Sequence, residues 1–386
     1  MGFSRMYMAT VVGAGPAGLA AAKRIQERGW KTTVLEEHPK IGDPVACTGL
    51  ISASGIQELG IRKEAEEVLM NKIRGAQIYS HNHEMIEVKR SETVAYVVDR
   101  AGFDKVLARE ATEAGVEIKL NTRMIDIRNE TVFVEHAGRG ELLKSKVIIG
   151  ADGVNSRTRK IMGANTTAAN FVHAYQVDAV GKFDPNYVQV FFGDYAKNFF
   201  AWIVPESEEK ARVGLASTSG NIRKDFNVFA SEKNVGGEFC DMCSSLIPIG
   251  EPLKTVVKDN MLLVGDAAFQ TKATTGGGIV TGMVAGRLAG DAVHSYFTNN
   301  APLRDYEKSL AGLNKDLRLH WKIRQYMNGK REEQIDKLFR KMRKARVGEF
   351  LSEHGDMDRP SKFMGKVLTK PSMWMLFPDA LRFLGT

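Results

Sequence analysis

Between Thr10 and Glu37 the chain reads Thr-Val-Val-Gly-Ala-Gly-Pro-Ala-Gly-Leu-Ala-Ala-Ala, and later Thr-Thr-Val-Leu-Glu-Glu. No other stretch narrows the possible folds as much. An apolar strand enters three glycines spaced G-x-G-x-x-G, a helix opens at Leu19, and a second strand ends on an acidic pair. Each part has a physical task. Gly13 makes the tight turn, Gly15 lets a pyrophosphate approach the backbone, and Gly18 lets helix and strand pack closely. The free amides and positive dipole end of the helix then face the phosphates. Glu36 is placed to bond both hydroxyls of an adenosine ribose, and its charge repels a 2′-phosphate. Glycines in this spacing also make plain turns. Strand, helix and acid in this order point to dinucleotide binding, and the identity of the dinucleotide must come from elsewhere in the chain.

At 386 residues the chain has room for two or three domains and a substantial core. A hydrophobic share of 43% with 26% charged residues fits a globular protein in water. No apolar run reaches the length of a spanning helix, and the first residues lack an apolar signal region. The expected location is therefore the cytoplasm. Residues 301–386 carry 19 Lys/Arg against 11 Asp/Glu, while the first 300 residues balance, so the whole net charge of +8 is C-terminal. That asymmetry points either to a peripheral contact with the cytoplasmic membrane face or to a solvated basic helix. No nucleic acid partner is expected. Cys47, Cys240 and Cys243 cannot build a secreted disulfide framework. A single C-x-x-C does not supply a four-ligand zinc site, so no metal is expected; Cys240 and Cys243 read as thiols on a helix, with a redox disulfide as the alternative.

Further strands end in small-residue turns. Lys146–Gly150 leads into Ala151-Asp152-Gly153, and Met261–Val264 leads into Gly265-Asp266-Ala267. Thr274-Thr275-Gly276-Gly277-Gly278-Ile279 then starts a helix. Residues 56–70, Phe103–Ala114 and 225–246 read as helices, and residues 171–220 alternate in the β sense. Beyond Asn300 the chain reads as helical and basic, with His320 in solvent.

The glycine-bearing strand ends at Gly13–Gly18, Gly150–Gly153 and Gly265–Asp266, in that order, resemble the flavoprotein superfamily of aromatic hydroxylases and geranylgeranyl reductases. Three further stretches resemble the geranylgeranyl reductase branch. They are the loop Gly42-Asp43-Pro44-Val45-Ala46-Cys47, the run Phe200-Ala201-Trp202-Ile203-Val204-Pro205, and Ile247-Pro248-Ile249-Gly250-Glu251-Pro252. The resemblance implies FAD as cofactor, with Gly13, Gly15, Ala17 and Gly18 at its phosphates and Glu36 and Glu37 near its ribose. It implies Arg100 in the phosphate region, the Met124 backbone at the adenine, and Asp152, Gly265 and Asp266 along the cofactor. Asp266 can accept from a ribityl hydroxyl. The amides of Gly276, Gly277, Gly278 and Ile279 can stabilise the reduced ring at its N1/O2 edge.

Ala46, Cys47 and Thr48 fall in the loop that the resemblance places beside the flavin. Cys47 can donate a proton as a catalytic thiol or pack against the ring, and the reading favours the contact. Aromatics between Phe191 and Trp202 suit an apolar tunnel for a polyprenyl chain and equally a plain β core. Alternation sets Phe200 and Trp202 on one face and Phe199 and Ala201 on the other, and Phe200, Trp202 and Pro205 are the expected substrate residues. No second complete G-x-G-x-x-G is present, so electrons are expected from docked NADPH, another reduced carrier or a ferredoxin. The C-terminal stretch Leu313–Phe350 and the patch Met373–Pro378 read as a lid, a membrane contact or helices capping the core.

The expected fold is thus α/β: a Rossmann-like FAD-binding domain (1–75, 95–170, 255–300), an inserted antiparallel sheet (76–94, 171–254) and a helical region (301–386). The implied activity is saturation of C=C bonds in geranylgeranyl chains of archaeal-type ether phospholipids, by hydride from reduced flavin N5 plus a proton. The alternatives are an aromatic monooxygenase and a flavin electron carrier serving a quinone or a protein.

Overall fold

The largely apolar strand Met6–Val12 is buried on both faces from Ala9 onward, as the interior of a parallel sheet allows, and that is where it lies. It runs parallel to Arg139–Gly150 on one side and to Thr32–Leu35 on the other. Met261–Leu263 extends the sheet beyond Arg139–Gly150, and Glu117–Lys119 extends it beyond Thr32–Leu35. Thr131–His136 pairs antiparallel with both Arg139–Gly150 and Thr122–Arg128. The structure is a computed structural model that describes residues 6–164, 166–167, 170–235 and 238–376.

Helix Pro16–Glu27 packs against helix Ile279–Asn299. Gly282, Gly286 and Gly290 recur every fourth residue on the second helix, and each faces Ala17, Ala21 or Arg24 of the first. A Cβ at Gly286 would overlap the Ala17 carbonyl, so the close approach depends on these glycines.

These elements form one compact unit, Met1–Val45, Arg100–Ala168 and Pro248–Leu317; the other is Ala46–Asp99, Ala169–Ile247 and Arg318–Thr386. The division differs from the expected domains. Residues 46–75 and 95–99 group away from the glycine motif because Ala95–Val98 pairs with both Leu50–Ser52 and Leu69–Ile73. Residues 301–317 join the first unit. There the buried Tyr306 donates to the Leu263 carbonyl at 3.1 Å, and Glu307 accepts the Val256 and Val257 amides at 3.0 and 3.2 Å.

The second unit holds a seven-stranded sheet in the order Phe239–Pro248, Phe171–Val180, Lys210–Ser217, Ala201–Pro205, Tyr187–Phe191, Gly75–Tyr79, Met85–Lys89. From Phe171–Val180 to Met85–Lys89 the neighbours pair antiparallel, except that Tyr187–Phe191 runs parallel to Gly75–Tyr79. Phe191, Ile203, Val213 and Leu215 form a core with Phe226 and Phe229 of helix Ile222–Glu232. Helices Glu332–Lys344 and Val347–His354 pack on the edge strand Met85–Lys89. Arg90 secures them by donating to the Ser352 and Gly355 carbonyls at 2.6 and 2.7 Å.

Several local expectations change. Residues 225–246 are not one helix: the chain turns after Glu232 and re-enters as strand Phe239–Pro248, carrying Cys240 and Cys243. Pairing with Phe171–Val180 overrides the helical propensity there. Residues 56–70 split into Ala53–Leu59, Arg62–Glu67 and a strand, with Gly60 in the left-handed conformation ending the first helix. Leu313–Phe350 is likewise interrupted, at Gly329 (φ 74°). His320 is buried at 5% exposure, not solvated. Met373 packs against Ala345, Val347 and Phe350, while Phe377 and Pro378 of the expected patch lie outside the described residues.

Candidate functional site

In the first unit the glycine motif adopts the geometry its spacing requires. Gly13 has φ 102°, and a Cβ there would strike the Ala151 carbonyl. A Cβ at Gly18 would overlap the Gly13 carbonyl oxygen, and it would lie 3.0 Å from the Ala151 methyl. Gly15 differs: it has φ −76° and ψ 173°, and nothing lies within 4 Å of the direction its side chain would take. The open space sits over the start of helix Pro16–Glu27, which no side chain caps. First-turn amides have no partner within their own helix, so this one offers unshielded donors and a positive dipole end. Ala17 follows in the same turn and packs beneath Gly265.

Glu36, at the end of strand Thr32–Leu35, is held in place. Its Oε2 accepts the Ala14 amide at 2.9 Å, so the acid is tied directly to the glycine loop. Its Oε1 accepts the His38 amide at 3.0 Å and lies 2.6 Å from His38 Nδ1. His38 escaped the sequence reading, although a histidine two residues beyond the acid is the available signal. Glu37 is exposed and lines a cleft of about 460 Å³ with His38, Asn121 and Arg123. Met124 is buried on Thr122–Arg128, beside a bulge at which Ile125 is the extra residue.

Gly265 and Asp266 occupy a tight turn after Met261–Leu263. Gln270 braces the turn: its Oε1 accepts the Gly265 amide at 2.6 Å, and its Nε2 reaches the Tyr306 hydroxyl at 3.2 Å. Asp266 keeps some exposed surface, yet burial of its carboxyl raises it above the ordinary carboxylate range. Thr271 donates to its Oδ1 at 3.0 Å, and Arg100 and Arg159 oppose the rise by their charge. Arg100 itself forms a bidentate pair with Asp104, at 2.8–3.2 Å. Arg159 was not anticipated. It is 2% exposed, donates to the Val154 and Ala267 carbonyls, and faces the Phe269 ring at 5.3 Å.

Asp152 spends its carboxylate locally, accepting Ser156 Oγ at 2.5 Å and the Thr158 amide at 2.9 Å. Gly276 (φ 72°) turns the chain back, donating to the Lys272 carbonyl at 2.8 Å. Gly277 packs on Lys272, and a Cβ at Gly278 would lie 2.8 Å from Asp266 Oδ1. Gly278 is the N-cap of helix Ile279–Asn299, and this helix start too has no side-chain cap. Two uncapped helix starts, an anchored acid and a buried carboxyl therefore belong to one unit. These groups fit the phosphates, the ribose and the ring edge of a flavin dinucleotide.

The remaining expected residues belong to the second unit. Ala46 is exposed, while Cys47 and Thr48 are half-buried. Cys47 Sγ accepts the Gly49 amide at 3.4 Å, and its carbonyl accepts Arg212 Nη1 at 3.2 Å. Arg212 was likewise missed. Its Nε lies 2.6 Å from Glu206 Oε1, whose side chain is 2% exposed, so a buried ion pair fixes the arm that holds the Cys47 loop. Desolvation raises the Cys243 thiol, and Cys47 and Asp178 add to the rise.

Trp202 is buried on Ala201–Pro205 and donates to Gln176 Oε1 at 3.2 Å. Phe200 precedes that strand, and its ring lies edge-on to Trp202 at 6.0 Å. Phe199 does not take the opposite face as alternation predicted. It stacks on Phe200 at 4.4 Å, because the strand begins only at Ala201. Pro205 ends the strand and accepts Asn71 Nδ2 on its carbonyl at 2.9 Å.

Comparison with known proteins agrees with this geometry. Residues 6–233 match the family model described as an FAD binding domain. The digeranylgeranylglycerophospholipid reductase of Methanosarcina acetivorans is 33% identical over 75% of this chain and 75% of its own length. The protein of the same name from Methanocaldococcus jannaschii is 30% identical over 97% of this chain and 98% of its own. Among solved structures, a geranylgeranyl bacteriochlorophyll reductase-like protein of Thermoplasma acidophilum superposes with a TM-score of 0.84 at 22% identity, covering 97% and 99% of the two chains. The cofactor is FAD.

Proposed function

This chain belongs to the geranylgeranyl reductase family of FAD-dependent oxidoreductases, and from that premise we propose that it saturates C=C bonds in the geranylgeranyl chains of an archaeal-type ether phospholipid. One observation carries the reading: likeness to a digeranylgeranylglycerophospholipid reductase over 97% of this chain, so the relation extends past the cofactor domain into the sheet of Phe200 and Trp202.

Bound FAD, once reduced by the electron donor, would supply the hydride. The chain's own residues bind and orient. In this proposal the amides of Gly15, Ala17 and Gly18 hold the pyrophosphate, Glu36 the ribose, and Arg100 the phosphate region. Asp266 takes a ribityl hydroxyl, and the amides of Gly278 and Ile279 face the ring edge, with Asp152, Gly265, Gly276 and Gly277 shaping the turns. The Met124 backbone meets the adenine, beside Glu37. Ala46, Cys47 and Thr48 carry the loop that the family resemblance assigns to the flavin, with the Cys47 thiol as its proton carrier. Phe200, Trp202 and Pro205 receive the prenyl chain. An isolated alkene has no carbonyl to polarise, so positioning and proton supply dominate what the protein contributes.

The electron donor belongs to the class of NADPH, another reduced carrier or a ferredoxin. The basic C-terminal segment supports a peripheral contact at the cytoplasmic membrane face. Among the described residues no helix is long and apolar enough to cross a membrane.

The test is anaerobic incubation of the dithionite-reduced holoenzyme with a geranylgeranyl ether phospholipid, followed by mass spectrometry of the lipid. The expected product has gained two hydrogens for each bond saturated. An unchanged lipid, together with oxygen-dependent hydroxylation of a phenol, refutes the reading.

A further inference from the structure

The two carboxylate oxygens of Glu36 are held by different parts of the first unit. Oε2 accepts the Ala14 amide at 2.9 Å, which ties it to the glycine loop. Oε1 is held by one residue twice over: the His38 amide donates to it at 3.0 Å, and His38 Nδ1 lies 2.6 Å away. The chain bends at Glu37 and His38, which turns the amide and the ring back onto the same oxygen. The bend is itself fastened. The Glu36 amide donates to the Lys119 carbonyl at 2.9 Å, the Glu36 carbonyl accepts the Thr122 amide at 2.8 Å, and the His38 carbonyl accepts the Asn121 amide at 3.1 Å.

A carboxylate offers about four acceptor sites, and Ala14 and His38 take three of them. The site left over is on Oε2, where one hydroxyl of a ligand can donate. A free glutamate side chain loses much rotamer freedom when a ligand orders it, and binding must repay that loss. Here the protein's own donors set both oxygens beforehand. The Glu36 side chain is 13% exposed and that of His38 is 44% exposed, so the imidazole is not a core residue. It lines the cleft of about 460 Å³ with Glu37, Asn121 and Arg123, within the size range of ligand sites. The ring thus touches the anchored acid on one hand and open space on the other.

We propose that His38 is a positioning residue for the cofactor: it locks Glu36 through Oε1, so that Oε2 takes one hydroxyl of the adenosine ribose. The proposal rests on the assignment of Glu36 to the ribose and is independent of the alkene chemistry.

The test is titration of the apoprotein with FAD and with two analogues whose adenosine lacks the 2′- or the 3′-hydroxyl, followed by flavin fluorescence. Wild type should bind FAD at least about tenfold more tightly than one of the analogues, the advantage of one hydrogen bond to a charged group. His38→Ala should cut that preference at least about threefold, while its affinity for the same analogue stays within about twofold of wild type. His38→Asn, whose Nδ2 can stand in for Nδ1, should restore the preference. If His38→Ala does not fold, His38→Leu keeps the bulk, removes the donor and takes its place. A preference lost in Glu36→Ala but kept in folded His38→Ala overturns the role of His38 alone. Equal weakening of FAD and analogue in the His38 variants also overturns it, because a merely structural role would have that effect. Wild type that binds FAD and both analogues alike refutes the Glu36 assignment beneath the proposal, whereas the reductase reading is judged separately on the lipid product.

Discussion

Gly15→Ala separates cofactor binding from folding. The residue sits at φ −76° and ψ 173°, which alanine adopts freely, and its Cβ would meet nothing within 4 Å. Replacing glycine at a helix N-cap costs up to about 1 kcal/mol, and the reduced freedom of the unfolded chain returns roughly 0.4–1 kcal/mol. The apoprotein should therefore melt close to wild type. The new methyl occupies the open space over the helix start, where the pyrophosphate must approach the amides. Each charge-assisted hydrogen bond lost there costs about 1.5–3 kcal/mol, so losing two raises the Kd for FAD by about 100-fold or more. Gly18→Ala should behave in the opposite way. Its Cβ would overlap the Gly13 carbonyl, the helix must shift, and the apoprotein loses about 3 kcal/mol before any cofactor is added. Titrating apoprotein with FAD, followed by flavin fluorescence and paired with thermal melts, reads both effects. Wild-type FAD affinity in Gly15→Ala, or a melt lowered as far as that of Gly18→Ala, refutes this assignment of the loop.

Burial raises the Asp266 carboxyl above its unfolded value, so the native state binds more protons and stability falls as pH rises through the raised range. Asp266→Asn should thus melt above wild-type apoprotein at about pH 7, with the gap closing as pH falls toward about 4; a gap that widens on acidification refutes the assignment. Arg212→Met leaves the buried Glu206 with Lys210 Nζ, at 3.3 Å, as its remaining cation and should cost about 1–3 kcal/mol, much of which Glu206→Gln should restore in the double variant, as read by denaturant melts. Thiol labelling at about pH 7, followed by peptide mass spectrometry, should modify the exposed Cys240 well before Cys243, whose thiol is raised by burial; the reverse order contradicts the strand placement.

What the sequence alone determined is the FAD-binding class of the first unit and the shape of its strand-end turns. Gly13, Gly18, Glu36 and Asp266 were legible because the backbone itself imposes their identity, through a positive φ, a close approach or a strand-end carboxyl at fixed spacing. The swap of helix for strand at Phe239–Pro248 was not legible, because pairing with Phe171–Val180 is non-local and outweighs local propensity. The same holds for the grouping of residues 46–75, decided by their pairing with Ala95–Val98. Arg159, Arg212 and Arg324 were invisible for a related reason. A lone arginine in sequence reads as solvated, and only tertiary packing put Arg159 against Phe269, Arg212 against Glu206, and Arg324 beneath two phenylalanine rings. Backbone constraint is written into neighbouring residues, whereas Arg159 and Arg324 meet their aromatic partners across more than a hundred residues of chain.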